Sequence, residues 1–459
     1  MTEQSLNFLS PLLSTVELSS KNTLPMLISS GIFLVIFLLI SFHLLHETAA
    51  ALLGATAVFL VTYIGGTYHP VLKLLSFDKA MTVVDWNVIF LIMGMMIFMA
   101  VLDETNVFKL LAFRFYQAAK GNTWVIVVSL ILLTGVTSAF LNDVTAILML
   151  APLSIQIAVA IGLDPLIIVI PEVLASNIGG AATLIGDPPS TIVGSHIGVS
   201  FGDYLVNMAP IALVCMLALL GVNWLTYRKQ YADAKQKISA VLVDQLEAES
   251  KIKNHDILRK AIIVGVITFI GFFVADRFSQ MPPGVVALSG ATLLIVWVRP
   301  DMPRMLREVD WTTLLFFIGL FVIVGAMEAT GAIEWAASHI ITFAGNSLDR
   351  AAVLITWVSG VASGIVANIP FTVAALPVAD YLTANISGGS GSRIIYWALI
   401  LGADLGGNAT YLGSAPNIVA VGLLAQAGVR LTFARFFRDG LPITIVTLFI
   451  ATIWLLIRY

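Results

Sequence analysis

The sequence predicts an all-α polytopic membrane protein with about ten transmembrane helices and two re-entrant hairpins in two inverted-topology repeats. Hydrophobic residues make up 59% of the 459 residues and charged residues 11%, whereas soluble domains are about half apolar and a quarter charged. Apolar runs such as Leu24 to Leu45 reach the roughly 20 residues that a membrane-spanning helix needs. The stretch Asn177 to Ser190, NIGGAATLIGDPPS, also returns 227 residues later as Asp404 to Asn417, DLGGNATYLGSAPN.

The repeat extends over most of the chain and divides it into three parts. Asp85, Trp86, Gly135 and Ser138 recur 225 residues later as Asp310, Trp311, Gly360 and Ser363. We predict a first repeat over 1–227, a polar linker over 228–260 and a second repeat over 261–459. The first repeat is expected to contain a hairpin tip near 141–143 and a broken helix near 177–187. The second is expected to contain a tip near 367–371 and a break near 404–414.

Parity and charge predict the orientation. With each hairpin counted as zero crossings, each half has five spans, and an odd number places the second half upside down relative to the first. The linker carries eight Lys and Arg residues, which indicates a cytoplasmic position by the positive-inside rule. We therefore expect a multi-pass protein of the cell (inner) membrane with both termini outside. The first apolar run is too long for a signal-peptide core and is read as a retained helix.

The two breaks and the two hairpin tips predict the functional site. Small residues at Gly179, Gly180, Gly406 and Gly407 interrupt apolar segments, and irregular backbone at membrane depth is tolerated where it lines a cavity. By register, Asp143 at the first tip matches Asn368 at the second, and Asn177 in the first break matches Asp404 in the second. Each half thus supplies one carboxylate and one carboxamide, which inverted symmetry would bring together near the bilayer midplane.

Carboxylates at membrane depth cost about 2.5 to 3.5 kcal/mol each on insertion scales, so they favour a functional interpretation. We predict Asp143 and Asp404 to be the proton-coupling residues, although either could instead cap a half-helix. Asp187, matched by Ser414, could be a cap or a ligand, and Glu172 and Asp380 are ambiguous. Neutral substrate or ion ligands are expected at Asn142, Thr145, Asn177, Thr183, Asn368, Thr372, Asn408 and Thr410.

Several classes of function are disfavoured. No Lys or Arg falls inside a hairpin tip or a break, which disfavours a di- or tricarboxylate substrate because it would meet like charge. The single cysteine, Cys215, excludes an internal disulfide and any multi-thiolate metal site. We predict that the protein has no cofactor, no structural metal and no catalytic residues, and hence that it is not an enzyme. The sequence has no stripe of basic residues that would suggest nucleic-acid binding.

The motifs FLNDVTAILMLAP at Phe140 to Pro152, ASNIGGAATLIGDPP at Ala175 to Pro189 and LGGNATYLGSAPN at Leu405 to Asn417 resemble the ArsB/NhaD permeases of the ion transporter superfamily. That family includes arsenite and antimonite efflux pumps, NhaD-type sodium/proton antiporters and the melanosomal P protein. The resemblance implies a scaffold and a transport unit that moves as an elevator. It also places the family's paired asparagine and threonine signatures on the neutral residues named above.

The leading functional hypothesis is proton-coupled efflux of arsenite or antimonite. Since Cys215 alone cannot supply several thiolates, arsenite would travel as a hydroxide held by hydrogen bonds. The rival is a Na⁺/H⁺ antiporter that uses the same two Asp residues; a passive metalloid conduit and an organic-anion transporter are further alternatives. The expected partners are the small solute with H⁺ or Na⁺, the lipid bilayer, possible homodimerisation and a possible separate ATPase subunit, since this chain contains no P-loop.

Overall fold

The computed structural model of the protein describes residues 23–42, 44–234, 247–248, 250–278, 281–344 and 347–459. Throughout these ranges the regular structure is helical, without a strand, which confirms the predicted fold class. Ten helices in the described ranges are long and apolar enough to cross a membrane. The start of the chain and residues 235–246 of the predicted linker, with their orientation, lie outside the described residues.

The helices up to the predicted linker are numbered in chain order. They are α1 Thr23–Ser41, α2 Glu47–Leu60, α3 Phe77–Val83, α4 Trp86–Asp103, α5 Val107–Ala118, α6 Thr123–Leu141, α7 Asp143–Ala160, α8 Leu166–Gly180, α9 Pro188–His196 and α10 Phe201–Asp233. A π-helical turn, Val61–Gly65, continues α2 to Tyr68. Helix α10 runs past the predicted boundary at residue 227.

The remaining helices repeat this order. They are α11 His255–Phe278, α12 Pro283–Val298, α13 Met302–Glu308, α14 Trp311–Ala329, α15 Ala332–Ala344, α16 Leu348–Ile365, α17 Asn368–Asn385, α18 Ile394–Gly406, α19 Ala415–Gln426 and α20 Phe433–Arg458. A 3-10 turn, Gly407–Ala409, follows α18 directly.

The chain forms two compact units. Of the described residues, those between 23 and 85, 311 and 344, and 373 and 390 form the first unit, and those between 86 and 310, 347 and 372, and 391 and 459 form the second. Each unit therefore contains segments from both predicted repeats. The repeat boundaries themselves stay a prediction from the sequence.

The first unit is built on α1, α2 and α14. The Ser29 and Thr330 hydroxyls lie 2.7 Å apart, and the Thr48 hydroxyl donates to the Thr312 carbonyl at 2.8 Å. Hydroxyls that bond to each other or to backbone let polar residues be buried between apolar helices at little cost. The buried face of α14 is otherwise lined by large apolar side chains such as Phe317.

The second unit contains both hairpin tips and both breaks. Helix α8 packs on α6, α7 and α10, and α18 packs on α16 and α20. Residues 166–180 of α8 are all buried, and so are residues 394–395 and 397–406 of α18. Helices that are apolar on every face are those that lie inside a bundle, so the two broken helices form the core of this unit.

Helix ends lie within both predicted breaks and both predicted tips. Residues 181–187 separate α8 from α9, and the second break follows α18 up to Ser414. Only Asn142 separates α6 from α7, and only residues 366–367 separate α16 from α17, so Asn368 begins a helix and is not a loop residue. Because α6, α7 and α16 each reach 18 or 19 residues, their length alone would also allow a full crossing.

Candidate functional site

The first hairpin tip is held against the first break by its backbone. Asn142 has φ 95° and ψ 137°, a positive-φ conformation close to the region that is almost confined to glycine. Its side-chain oxygen accepts from Val144 N–H at 3.0 Å and so caps α7. The N–H of Asp143 donates to the Gly186 carbonyl at 3.1 Å. The carboxyl of Asp143 is therefore fixed beside the break.

The second tip repeats these contacts with the second break. Asn368 N–H donates to the Gly413 carbonyl at 3.0 Å, which is the counterpart of the Asp143 bond. The Ser138 hydroxyl donates to the Ser176 carbonyl at 2.6 Å, and Ser363 donates to Ala403 at 2.6 Å. The repeated sequence thus produces repeated hydrogen bonds, because the same hydroxyls satisfy the carbonyls that the breaks expose.

Two of the helix-break glycines allow close backbone contact. A Cβ on Gly179 would overlap the backbone of Gly135, and a Cβ on Gly406 would overlap the backbone of Gly360. These pairs lie where α8 packs on α6 and where α18 packs on α16. Glycine is required at these positions because the facing backbone occupies the space of a side chain.

One side of the site is an amide cluster, which we define as Asn177, Asn408 and Asn417. The Asn177 amide nitrogen donates to the side-chain oxygens of Asn408 at 2.7 Å and Asn417 at 3.1 Å. Its oxygen accepts from the Ser414 hydroxyl at 2.8 Å. Asn417 in turn donates to the carbonyls of Gly407 and Thr410, each at 2.8 Å. The amide cluster therefore links the two breaks and is well satisfied internally.

The other side is an acidic cluster, which we define as Asp143, Asp187 and Asp404. Each of these side chains is at most 2% exposed, and the three carboxyls are close enough to interact electrostatically. The Ser190 hydroxyl donates to Asp404 Oδ2 at 3.0 Å. Within the described chain, no hydrogen bond of 3.5 Å or less reaches Asp404 Oδ1 or either oxygen of Asp187, although Asp187 lies beside the Asp404 carboxyl and the Asn368 amide.

Asn368 adds an unpaired donor beside these acceptors. Its side chain lies next to Asp187 and is 1% exposed, yet its amide nitrogen has no hydrogen-bond partner among the described residues. Buried polar atoms are nearly always paired, so such a group of unpaired ones is unusual. The ion pairs formed within the described ranges include none of the three carboxyls.

The repeat relates the two sides of the site in part. Asn177, Ser414 and Asn417 correspond to Asp404, Asp187 and Ser190 at the interval of 227, whereas Asn408 corresponds to Ala181. Asp187 and Ser414 also share an extended backbone, with φ −140° and ψ 142° for Asp187 and φ −154° and ψ 148° for Ser414. At these equivalent positions the two sides therefore differ in charge.

The structure gathers the four principal residues of the sequence prediction in one unit. Asp143, Asn177, Asn368 and Asp404 all lie where the tips meet the breaks. The predicted threonines mostly bond to backbone: Thr183 donates to Ala139, Thr410 to Gly364 and Thr372 to Asn368. Thr145 is half-buried in the first turn of α7. Thr183 and Thr410 thereby tie the breaks to α6 and α16, and within the site the unpaired side-chain atoms belong to Asp187, Asn368 and Asp404.

Sequence reasoning missed Ser190, Ser414 and Asn417 and left Asp187 undecided. Asp187 occupies the N-cap position of α9, but its side chain accepts no capping hydrogen bond from the backbone of that helix. Asp187 therefore does not act as a cap. The interval of 227 residues could have identified these residues. When it is applied to every polar residue of the breaks, Ser190 matches Asn417. Those residues bond across the repeats, which a reading within one repeat does not reveal.

The chemistry that these side chains offer is the binding of positive charge or of hydrogen-bond donors. Three unpaired carboxylate oxygens are acceptors, and each can take a proton, a cation or an O–H group. The described residues include no group of three or more His, Cys, Asp or Glu placed to hold a metal ion.

Comparison with known proteins gives consistent results. The profile of the CitMHS family, described as citrate transporter, matches residues 34–402. An uncharacterized transporter of Mycobacterium tuberculosis is 36% identical over 93% of this chain and 97% of its own length. The human P protein is 30% identical over 94% of this chain, which spans 60% of that longer protein. The solved structure of the Alcanivorax borkumensis YdaH transporter is similar in fold, with a TM-score of 0.60 at 12% identity over 90% of this chain and 98% of that one.

Proposed function

This chain belongs to the citrate transporter family, CitMHS, and on that premise we propose that it is a proton-coupled secondary active transporter. The observation that carries the proposal is the acidic cluster, in which three buried carboxylate oxygens accept no hydrogen bond from the described residues. A buried carboxylate without a partner is costly. A proton or a bound solute would remove that cost, so the two compete for the same oxygens.

We assign proton coupling to Asp143 and Asp404, as the sequence predicts, and add Asp187 as a third member. Asp404 keeps one fixed donor, Ser190, at 3.0 Å, which orients the carboxyl while its second oxygen stays open to exchange. Asp143 lies at the hairpin tip, so its position would change if the hairpin moved relative to the break. Loss of a proton from this group of carboxyls would create the negative charge that attracts the second solute.

Sodium ion is the solute that the unpaired oxygens favour most directly. Carboxylate, hydroxyl and amide oxygens are the ligands that hard cations take, and the site offers Asp187, Asp404 and Ser190. The ion pairs of the described residues leave these carboxyls without a competing Lys or Arg. Exchange of Na⁺ for H⁺ follows, as in an NhaD-type antiporter.

Arsenite or antimonite is the second candidate, and the same atoms support it. A neutral trihydroxide presents O–H donors, and the acidic cluster presents three unpaired acceptors. The buried thiol of Cys215 lies 3.9 Å from the Thr447 carbonyl and does not belong to the cluster. A citrate trianion would meet three carboxyls and no paired cation, so it would need to enter with its charge neutralised.

The membrane arrangement completes the proposal. We infer a cell-membrane protein with a cytoplasmic linker and outward-facing termini, whose hairpins and broken helices move as an elevator. Helix α10 and the segment around α11 flank the linker and carry Arg228, Lys229, Arg259 and Lys260, the side favoured for the cytoplasm. An ATPase subunit, if one couples to the transporter, would be a separate protein.

The test uses purified protein in proteoliposomes with an internal pH dye and a preformed pH gradient. Na⁺, arsenite or citrate is added outside in separate samples. Collapse of the gradient by Na⁺ supports Na⁺/H⁺ exchange, and collapse by arsenite alone supports metalloid/proton exchange. A response to citrate alone would keep proton coupling but exclude Na⁺ and metalloid exchange, and no response to any of the three solutes would contradict the proposal.

A further inference from the structure

Glu172 is a fully buried carboxyl on α8 that lies apart from the acidic cluster. Its side chain is 0% exposed, and its Oε1 accepts from the Ser154 hydroxyl at 2.6 Å. The Thr134 hydroxyl is 3.5 Å away but lies closer, at 2.9 Å, to the Leu130 carbonyl. Its Oε2 has no hydrogen-bond partner in the described part of the chain. One hydroxyl is thus the only firm partner of this carboxyl among the described residues.

The second repeat shows that packing does not require an acid at this position. Glu172 corresponds to Leu399 at the interval of 227, while Thr134 and Ser154 correspond to Ser359 and Ala379 at 225. Leu399 is 0% exposed, so the equivalent place in the second repeat is filled by an ordinary apolar side chain. The first repeat therefore has a carboxyl group at a position where an apolar side chain would satisfy the packing.

Glu172 lies between the site and the end of the unit that carries the linker. It precedes Asn177 by five residues, a rise of about 7.5 Å along α8. Trp124 at the start of α6 contacts Tyr231 near the end of α10, with ring centroids 5.3 Å apart. The start of α6, and with it the open end of the first hairpin, therefore lies on the linker side.

We propose that Glu172 is a second proton-binding site, which exchanges its proton with water on the linker side during transport. A buried carboxylate without a cation is neutralised by a proton, and one hydrogen bond from Ser154 does not replace that proton. On release, the O–H bond of the acid breaks, the proton passes to water, and the carboxylate keeps the Ser154 hydrogen bond. The inference rests on the proposed proton coupling and adds one proton to it.

The neighbouring ionisable groups do not compensate Glu172. Helices packed on α8 carry Asp143 and Asp404, which belong to the acidic cluster. They also carry Asp439, which is paired with Arg435 at 2.9 Å. Cys215 of α10 is directed at Thr447 of α20. Only the Ser154 and Thr134 hydroxyls face the Glu172 carboxyl in the described structure.

The first experiment counts protons released by detergent-purified protein in weak buffer when Na⁺ or arsenite is added. Glu172→Gln is expected to bind the solute and to release one proton fewer than the unchanged protein. Glu172→Leu, which installs the residue of the second repeat, should give the same loss if the glutamine variant folds poorly. Glu308→Gln, an exposed acid on α13, is the control and should release the full number. Equal release by all four proteins would overturn the proposal.

The second experiment does not depend on any solute. Infrared difference spectra between acidic and alkaline pH should contain a carboxylic-acid carbonyl band that disappears in Glu172→Gln and persists in Glu308→Gln. If the unchanged protein releases no protons on addition of Na⁺ or arsenite, the proposed exchange of these solutes for protons is wrong. The infrared band would still show whether Glu172 exchanges a proton. A spectrum of Glu172→Gln identical to that of the unchanged protein would overturn the inference.

Discussion

Replacement of Asp187 by serine should stabilise the protein while abolishing transport. Serine is the residue that the second repeat places at the same point, Ser414, with nearly the same backbone dihedrals, so the substitution introduces no strain. Asp187 is 1% exposed, and neither of its oxygens has a partner among the described residues. An unsatisfied buried polar group costs about 1 to 3 kcal/mol. We therefore expect the free energy of unfolding to rise by about that amount, since repulsion from Asp143 and Asp404 is also relieved.

The assay combines thermal unfolding in detergent with transport in proteoliposomes. Cys215, the single cysteine, is buried, so a maleimide dye that becomes fluorescent on reaction with a thiol reports unfolding directly. Asp187→Ser should unfold at a higher temperature than the unchanged protein, and Ser414→Ala should unfold at a lower one because Asn177 loses a hydrogen-bond donor. A less stable Asp187→Ser protein, or one with unchanged transport, would refute the assignment of Asp187 to the exchange site.

Three further predictions concern the break and the buried acids. Gly179→Ala should lower the unfolding temperature, because its Cβ would overlap Gly135 and overpacking costs about 1 to 3 kcal/mol; Gly221→Ala, which faces open space, should leave it unchanged. Asp143→Asn and Asp404→Asn should each abolish proton-coupled flux in proteoliposomes and still elute as folded protein, and normal exchange in both would remove them from the mechanism. Cys215→Ser should keep arsenite transport if the protein carries arsenite, and loss of that transport would indicate a thiol ligand.

The sequence was sufficient for the parts of the fold that depend on local composition. Hydropathy predicted the long apolar helices, and the repeated glycines and amides were the basis for predicting the two breaks, because an unwound segment needs small and polar residues. Helix ends were less predictable. Helix α10 continues to Asp233 although its last turns are polar, since a helix can extend into water once its apolar part is anchored. Helix α17 begins at Asn368. A few residues of sequence do not distinguish a loop at a hairpin tip from the first turn of the following helix.

The site was only partly predictable, for a reason that lies in its symmetry. The register identified Asp143, Asn177, Asn368 and Asp404, since each is a polar residue in an apolar context. It did not reveal that Asn177 pairs with Ser414 and Asn417, because those bonds join one repeat to the other. The role of Asp187 depended on whether its carboxyl would cap α9, and that depends on side-chain direction, which spacing along the chain does not fix.

The most direct test of the account is equilibrium binding of radioactive Na⁺ to purified protein at a series of pH values. If Na⁺ and a proton compete for the acidic cluster, the apparent dissociation constant should rise at least about tenfold for each unit by which the pH falls through the competing range. Asp404→Asn should bind Na⁺ weakly at every pH, while Asp301→Asn, an exposed acid outside the cluster, should behave like the unchanged protein. Binding of Na⁺ that is independent of pH, or that survives in Asp404→Asn, would contradict cation/proton exchange at this site.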